Sequence, residues 1–320
     1  MKLPQLKIDG LTAQLPIIQG GMAVRISTGA LAGAVAKTGA IGIIGASGMA
    51  FDELRREIEI ARELAAGGIV GINIMFAARE FVGIVQTAIK AKIDLIMTGA
   101  GFSRDIFKMG QDGNTPIVSI VSTARLAETA QKLGAAAIVV EGKEAGGHLG
   151  TDQSVWKIFP EVKKAVGLPV IAAGGIINGA ELVRALKAGA DGVQMATRFV
   201  LAEECAAPPE YKKRYQEARK EDVVIISSPV GMPGRAIKTA FVEKLLANKE
   251  PRPIGCDFCL KNCSLKYCIF QALINSQKGD IDHGIVFSGE YVWKIKDRTV
   301  KPAAQIVADV LKEAEEASVL

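Results

Sequence analysis

The sequence predicts an α/β protein, a (β/α)8 TIM barrel with an insertion between strand eight and its closing helix. Three observations carry this. Short apolar runs recur at residues 17–19, 41–45, 71–74, 95–98, 117–120, 137–141, 170–173 and 192–195, their starts about 25 residues apart. Segments of helical periodicity fill the gaps. No GxGxxG opens a helix after the first run, which favours the barrel over a doubly wound sheet.

The elements follow in order. Each run is apolar on both faces, as a buried parallel strand is. Asp52 is placed to cap a helix to Ala65, whose Leu54, Ile58, Ala61 and Ala65 recur at helical spacing. Thr123 caps a helix carrying Leu126, Ala130 and Leu133, and Asn178 one carrying Leu182 and Leu186. Gly39, Gly134, Gly167 and Gly189 fall where helices end. After Met195 the pattern changes. Residues 208–220 read as a polar helix, and 254–279 hold a cysteine cluster. Residues 302–317 are amphipathic through Ile306, Val307, Val310 and Leu311, as the last barrel helix. The expected organisation is a barrel from 1–197 and 300–320, with the insertion 198–299 over the mouth where barrel chemistry lies.

Composition limits the function. The chain has 320 residues, 49% hydrophobic, with a net charge of +5, so it buries a large core and is not disordered. No apolar run reaches a membrane span and no secretory pattern opens the chain, so the expected location is cytoplasmic, without membrane contact. Aromatics are 5% and no basic stripe carries stacking rings, so nucleic acid is not an expected partner. Residues 208–300 hold 16 basic and 11 acidic side chains, and the remainder 23 of each. That excess is either a solvated surface or a face for a phosphorylated or acidic partner such as a dinucleotide, coenzyme A or a carrier protein.

The residues at the strand ends are the candidates for chemistry. Gly20, Gly21 and Met22 follow strand one, where glycine lets backbone approach a flat ligand. Asn73 is polar within strand three, Thr98 and Gly99 end strand four, and Glu141 ends strand six before Gly146, Gly147 and His148. Ala173 precedes Gly174 and Gly175, and Gln194 precedes Ala196 and Thr197. Barrels commonly bind phosphate on the loops after strands seven and eight, with glycine N–H groups and a helix N-terminus facing the anion. With the planar preference of Asn73, Glu141 and Gln194, this points to flavin mononucleotide (FMN). His148 can donate or accept a proton near neutral pH. His283 reads as a loop residue.

Five segments in order, Pro16 to Met22, Gly71 to Met75, Glu141 to His148, Ala172 to Ile176 and Gln194 to Phe199, resemble a known family. It is that of the FMN-dependent nitronate monooxygenases and the flavin-type enoyl-acyl carrier protein reductases II, FabK-like. The resemblance spans about residues 4–245. It implies Gly21 and Met22 beside the flavin ring, Asn73 and Gln194 bonded to it, and Glu141 near the ribityl chain. It implies Gly174, Gly175, Ala196 and Thr197 at the phosphate and His148 as the active-site histidine. It further implies NAD(P)H as electron donor, a small or carrier-bound acyl substrate, and a homodimer. The expected activity is NAD(P)H-dependent reduction of an enoyl thioester; the alternative is oxidation of alkyl nitronates with oxygen, His148 serving as base. The chain departs from the reductases at Val24-Arg25, where they carry an aromatic, and in its last third.

Cys256, Cys259, Cys263 and Cys268 are spaced C-x2-C-x3-C-x4-C. Four close thiols favour metal over disulfides in a reducing compartment. The open readings are a [4Fe-4S] cluster, a structural zinc, and a metal-free packed helix with Phe258, Leu260 and Leu265 as its core. Cys205 reads as a small buried residue.

Overall fold

The computed structural model describes residues 3–249, 251–253 and 255–319. Its centre is a parallel sheet of Ile17–Gln19, Gly42–Gly45, Val70–Met75, Leu95–Gly99, Ile117–Val121, Ala137–Glu141, Val170–Ala173 and Gly192–Met195. From the second onward each strand pairs with the next, and strand eight pairs with strand one in the register Gln194↔Ile18. The seam between strands one and two is narrow. It closes through an Ile18–Ile41 bridge, with Gln19 N–H to Ile41 O and Ile41 N–H to Ile17 O both at 2.9 Å. Beyond it the Gln19 side chain takes over, Oε1 accepting Ile43 N–H at 3.1 Å. The sheet therefore has no free edge and is a barrel, not a doubly wound sheet.

Side chains alternate along each strand. Ile18, Ile43, Met97, Val118, Val139 and Ile171 fill the interior, while Ile17, Ile44, Ile72, Ile96, Ile138 and Val193 face the helices. A hairpin that the periodicity did not reveal, Leu6–Ile8 with Leu11–Ala13, sends Leu6, Ile8 and Ala13 into the interior cluster. It sits at the start of strand eight, where a Cβ on Gly192 would lie 3.2 Å from Leu6.

The helices largely follow their signals. The Thr123 and Asn178 oxygens accept the N–H groups of Leu126 and Glu181, as N-caps do. Gly134 ends its helix at φ +99°. The closing helix Ala303–Val319 packs on Gly179–Lys187 and Gly29–Lys37, completing the outer ring. Two expectations need correction. The N-cap position of Phe51–Ala65 is Ala50, two residues before Asp52, and Glu53 accepts the Ala50 N–H at 3.3 Å. On Ala124–Leu133 the buried face is Ala127 and Ala130; Leu126 is exposed at the rim of the cavity described below.

Between strand eight and the closing helix the chain builds a cap. Val223–Ser227, Pro233–Ile237 and Val286–Phe287 form an antiparallel sheet. The short strand Gly147–His148, from the loop after strand six, joins it opposite Gly234 and Arg235. The cap has its own core, including Ile226, Phe241, Tyr267 and Ile269. The helix Pro209–Glu217 is less polar than expected, because Tyr211 and Tyr215 are buried. Cys205 is buried and donates to Ile26 O at 3.3 Å, and burial pushes its thiol up to about 11. No helix among the described residues is long and apolar enough to cross a membrane.

Candidate active site

A cavity of about 470 Å³ lies between the C-terminal ends of the barrel strands and the cap. Gly20, Gly21, Met22, Asn73, Gly99, Glu141, Gly146, Gly147, His148, Ala173, Gly174, Gly175, Gln194, Ala196 and Thr197 all border it. Strand parity explains the convergence. Asn73, Glu141, Ala173 and Gln194 alternate with the helix-facing Ile72, Val140, Ala172 and Val193. Thr98 is the exception. Met97 and Gly99 face inward, so Thr98 points to the helix layer; its Oγ1 donates to Gly101 O at 3.1 Å and it does not border the cavity.

The inner half of the cavity is polar and underbonded. The side chains of Asn73, Glu141 and Gln194 have no hydrogen-bond partner among the described residues, and Gln194 Oε1 is fully buried. Buried polar groups are rarely left unpaired without a role. Burial pushes the Glu141 carboxyl up to about 7. At Gly21 an added Cβ would sit 2.5 Å from Asn73 Cβ, so only glycine lets this loop lie against the polar strand ends.

The N–H groups that could hold an anion come from loops. Gly174 and Gly175 have φ of +95° and +74°, which favour glycine. The N–H groups of Gly174, Gly175, Ala196 and Thr197 meet no acceptor among the described residues. The helix N-terminus contributes less than expected: Gly179 N–H goes to Glu313 at 2.9 Å, and Glu181 N–H to Asn178 at 3.0 Å. Glu313 also takes a bidentate pair from Arg198, at 2.7 and 2.9 Å, while Arg198 donates to Ile177 O at 3.1 Å. This buried fork ties the loops after strands seven and eight to the closing helix. An array of unpaired N–H groups beside unpaired amides and a carboxyl fits a flat, phosphorylated, hydrogen-bonding group such as FMN.

The outer half is built by the cap and is apolar, with Val230, Met232, Leu260, Ile269, Phe270 and Leu273. His148 stands between the halves. Its Nε2 lies 2.8 Å from Ser228 Oγ, and the Phe287 ring meets it edge to face at 5.2 Å. Burial pulls the imidazole down to about 4, so the ring is neutral at physiological pH. Arg235 fixes the preceding loop, donating to Ala145 O at 3.1 Å and Lys143 O at 2.6 Å. Glu144 holds the loop's other side through Val155 N–H at 3.0 Å. Thr197 accepts Gly289 N–H at 3.1 Å, and the neighbouring Tyr291 borders the cavity. Ser228, Arg235, Phe287 and Tyr291 carried no sequence signal; they come from the divergent last third.

The cysteines give the metal readings no support. Among the described residues no three His, Cys, Asp or Glu side chains converge to hold a metal ion, and all four thiols are free. Three sulfurs are engaged in local turns, accepting N–H from Phe258, Leu265 and Gln271 at 3.4, 3.5 and 3.4 Å. Nor is the segment a packed helix. Phe258 and Leu265 are 63% and 56% exposed, and only Leu260 of that trio is buried. The helix begins at Ile269, capped by Cys268. Cys259 alone of the four borders the cavity.

Fold and site together define a barrel whose mouth has a polar, underbonded floor and an apolar outer wall. The chain belongs to the nitronate monooxygenase family, whose model matches residues 5–88 and 69–313. It is 31% identical to FabK of Thermotoga maritima, with a TM-score of 0.85 over 95% of this chain and 94% of that one. It is 30% identical over 255 residues to a Mycobacterium tuberculosis (3aS,4S,5R,7aS)-5-hydroxy-7a-methyl-1-oxo-octahydro-1H-indene-4-carboxyl-CoA dehydrogenase, covering 79% of this chain and 70% of the relative. A probable nitronate monooxygenase of Staphylococcus aureus is 25% identical across 95% of both chains. The nitroalkane oxidase of Streptomyces ansochromogenes shares the fold, with a TM-score of 0.81 at 21% identity over 96% of this chain and 97% of that one.

Proposed function

We propose that the protein is an FMN-dependent, NAD(P)H-consuming reductase of an enoyl thioester. The observation that carries this reading is the apolar outer half of the cavity, where Val230, Met232, Ile269 and Phe270 offer an acyl chain far more contact than a small nitronate needs. Asn73 and Gln194 would hold the flavin ring, Glu141 the ribityl chain, and the loops at Gly174–Gly175 and Ala196–Thr197 the phosphate. FMN supplies two-electron chemistry: overall, NAD(P)H gives a hydride and solvent a proton, and the C=C bond becomes CH–CH. The chain's own part is to orient the thioester, keep water from the outer half, and place His148 beside the reacting end. The basic excess in 208–300 suits a phosphorylated carrier such as coenzyme A, and a carboxyl-CoA compound figures in the name of the M. tuberculosis relative.

A second reading is nitronate oxidation, favoured by the family match and the S. aureus relative. One anaerobic experiment separates the two. NADH or NADPH is added to the purified flavoprotein, followed by crotonyl-CoA. Bleaching and then recovery of the visible flavin bands is expected. Flavin that ignores both nucleotides, but consumes oxygen with propyl-2-nitronate, would overturn the proposal.

A further inference from the structure

His148 makes one side-chain hydrogen bond among the described residues, from Nε2 to Ser228 Oγ at 2.8 Å. The direction of that bond follows from Ser228. This hydroxyl is 9% exposed, and its only other contact is the N–H of Val230, which it accepts at 3.4 Å. A hydroxyl has a single proton to give. Among the described residues no other acceptor is bonded to this O–H, so the arrangement that gives its proton a partner is donation to Nε2. In a neutral imidazole the ring proton then resides on Nδ1, which has no protein acceptor among the described residues.

We infer that Ser228 is a positioning residue that locks His148 as its Nδ1–H tautomer, so that the ring meets a ligand in the cavity as a hydrogen-bond donor and not as a base. Ser228 is itself held by the cap. Tyr267 O–H donates to Ser227 O at 2.9 Å, and Ser264 N–H to Pro229 O at 3.0 Å. The cysteine-rich segment thus acts on the site through the loop 227–230, without touching the imidazole. A donor suits the carbonyl oxygen of a thioester, whose polarisation makes the conjugated β-carbon a better hydride acceptor. It does not suit removal of a proton from a nitroalkane. This functional consequence rests on the thioester reading above, whereas the tautomer does not.

The chain has two histidines, and His283 is exposed and paired with Asp280 at 2.9 Å, so His283→Gln leaves one imidazole to observe. Long-range 1H–15N spectra of the 15N-labelled holoenzyme at pH 7 should show His148 with protonated Nδ1 and bare Nε2. Ser228→Ala should move the ring toward the Nε2–H form that an unconstrained histidine side chain prefers, and Ser228→Thr should restore the wild-type pattern. In turnover with crotonyl-CoA, Ser228→Ala should lower kcat by about 10²-fold, the lower end of the loss expected for one hydrogen bond to a developing charge, with little change in KM. A wild-type ring protonated on Nε2, or an Nδ1–H pattern unmoved by Ser228→Ala, would overturn the inference. An Nδ1–H ring in a protein that reduces no enoyl thioester would leave the tautomer standing and remove the proposed substrate.

Discussion

Glu141→Gln should uncover a compensation between two half-buried, cavity-lining groups of opposite kind. Burial raises the Glu141 carboxyl from 4.5 to about 7 and lowers the His148 imidazole from 6.5 to about 4. Between pH 4.5 and 7 the folded protein keeps a proton on Glu141 that the unfolded chain has lost. Stability from this group is therefore fully present below pH 4.5 and is lost as pH rises to 7. His148 runs the other way: between pH 6.5 and 4 the unfolded chain takes up a proton that the folded ring refuses, and stability falls as pH falls. At about 1.4 kcal/mol per pH unit each window is worth on the order of 3 kcal/mol. The two slopes cancel where the windows overlap, from pH 4.5 to 6.5.

Glu141→Gln removes one slope and exposes the other. Measured on ligand-free protein by denaturant unfolding across pH 4 to 8, the variant should match the wild type below pH 4.5. It should then become progressively more stable, reaching about 3 kcal/mol above pH 7. The difference between the two curves cancels every other titrating group. His148→Gln should give a difference curve of the other sense, gaining stability toward pH 4. A Glu141→Gln difference that stays flat from pH 4.5 to 7 would refute the claim that this carboxyl is held unpaired in an enclosed site.

Three further outcomes follow from the same geometry. Gly21→Ala places a Cβ 2.5 Å from Asn73 Cβ, so purified protein should carry much less flavin, read from its visible absorbance. Gly175→Ala forces alanine to φ +74° with its Cβ 3.0 Å from both Glu144 and Tyr291; it should cost roughly 1–2 kcal/mol of stability and weaken FMN binding, measured by denaturation and by fluorescence titration. Arg198→Ala leaves Glu313, itself about a third exposed, without its bidentate partner and Ile177 O without its donor, and should cost roughly 1–3 kcal/mol in denaturant unfolding. Arg198→Lys, lacking the planar fork, should recover only part of that loss.

The barrel and the inner half of its site were legible because both depend on short-range regularity. A strand–helix repeat of about 25 residues leaves few topologies, and a polar residue in a doubly buried strand stands out, as Asn73, Glu141 and Gln194 do. The same parity, applied to strand four, separates inward Gly99 from outward Thr98, a distinction that a list of strand-end residues passes over. Leu126 was misplaced for a related reason: a helix frame displaced by one residue rotates its buried face by about 100°, whereas the face Leu54, Ile58, Ala61 and Ala65 was read correctly and only the cap was off.

The cap was not legible. His148 meets Ser228 across 80 positions of sequence, and Arg235 reaches Lys143 and Ala145 across 92 and 90. No local period encodes such pairings; they arise when the strand Gly147–His148 joins the antiparallel sheet of the cap. The cysteine spacing likewise leaves its outcome to tertiary structure. Ligand residues close in sequence hold a metal only if the backbone turns their sulfurs to a common point, and among the described residues no such grouping is present, three sulfurs accepting N–H groups two or three residues further on. By itself, then, the sequence determined a closed barrel with a polar, glycine-rich floor, because alternation and periodicity operate within a few residues. The tertiary structure alone decided what stands above that floor and which hydrogen bond the active-site histidine makes, because those contacts join segments that only folding brings together.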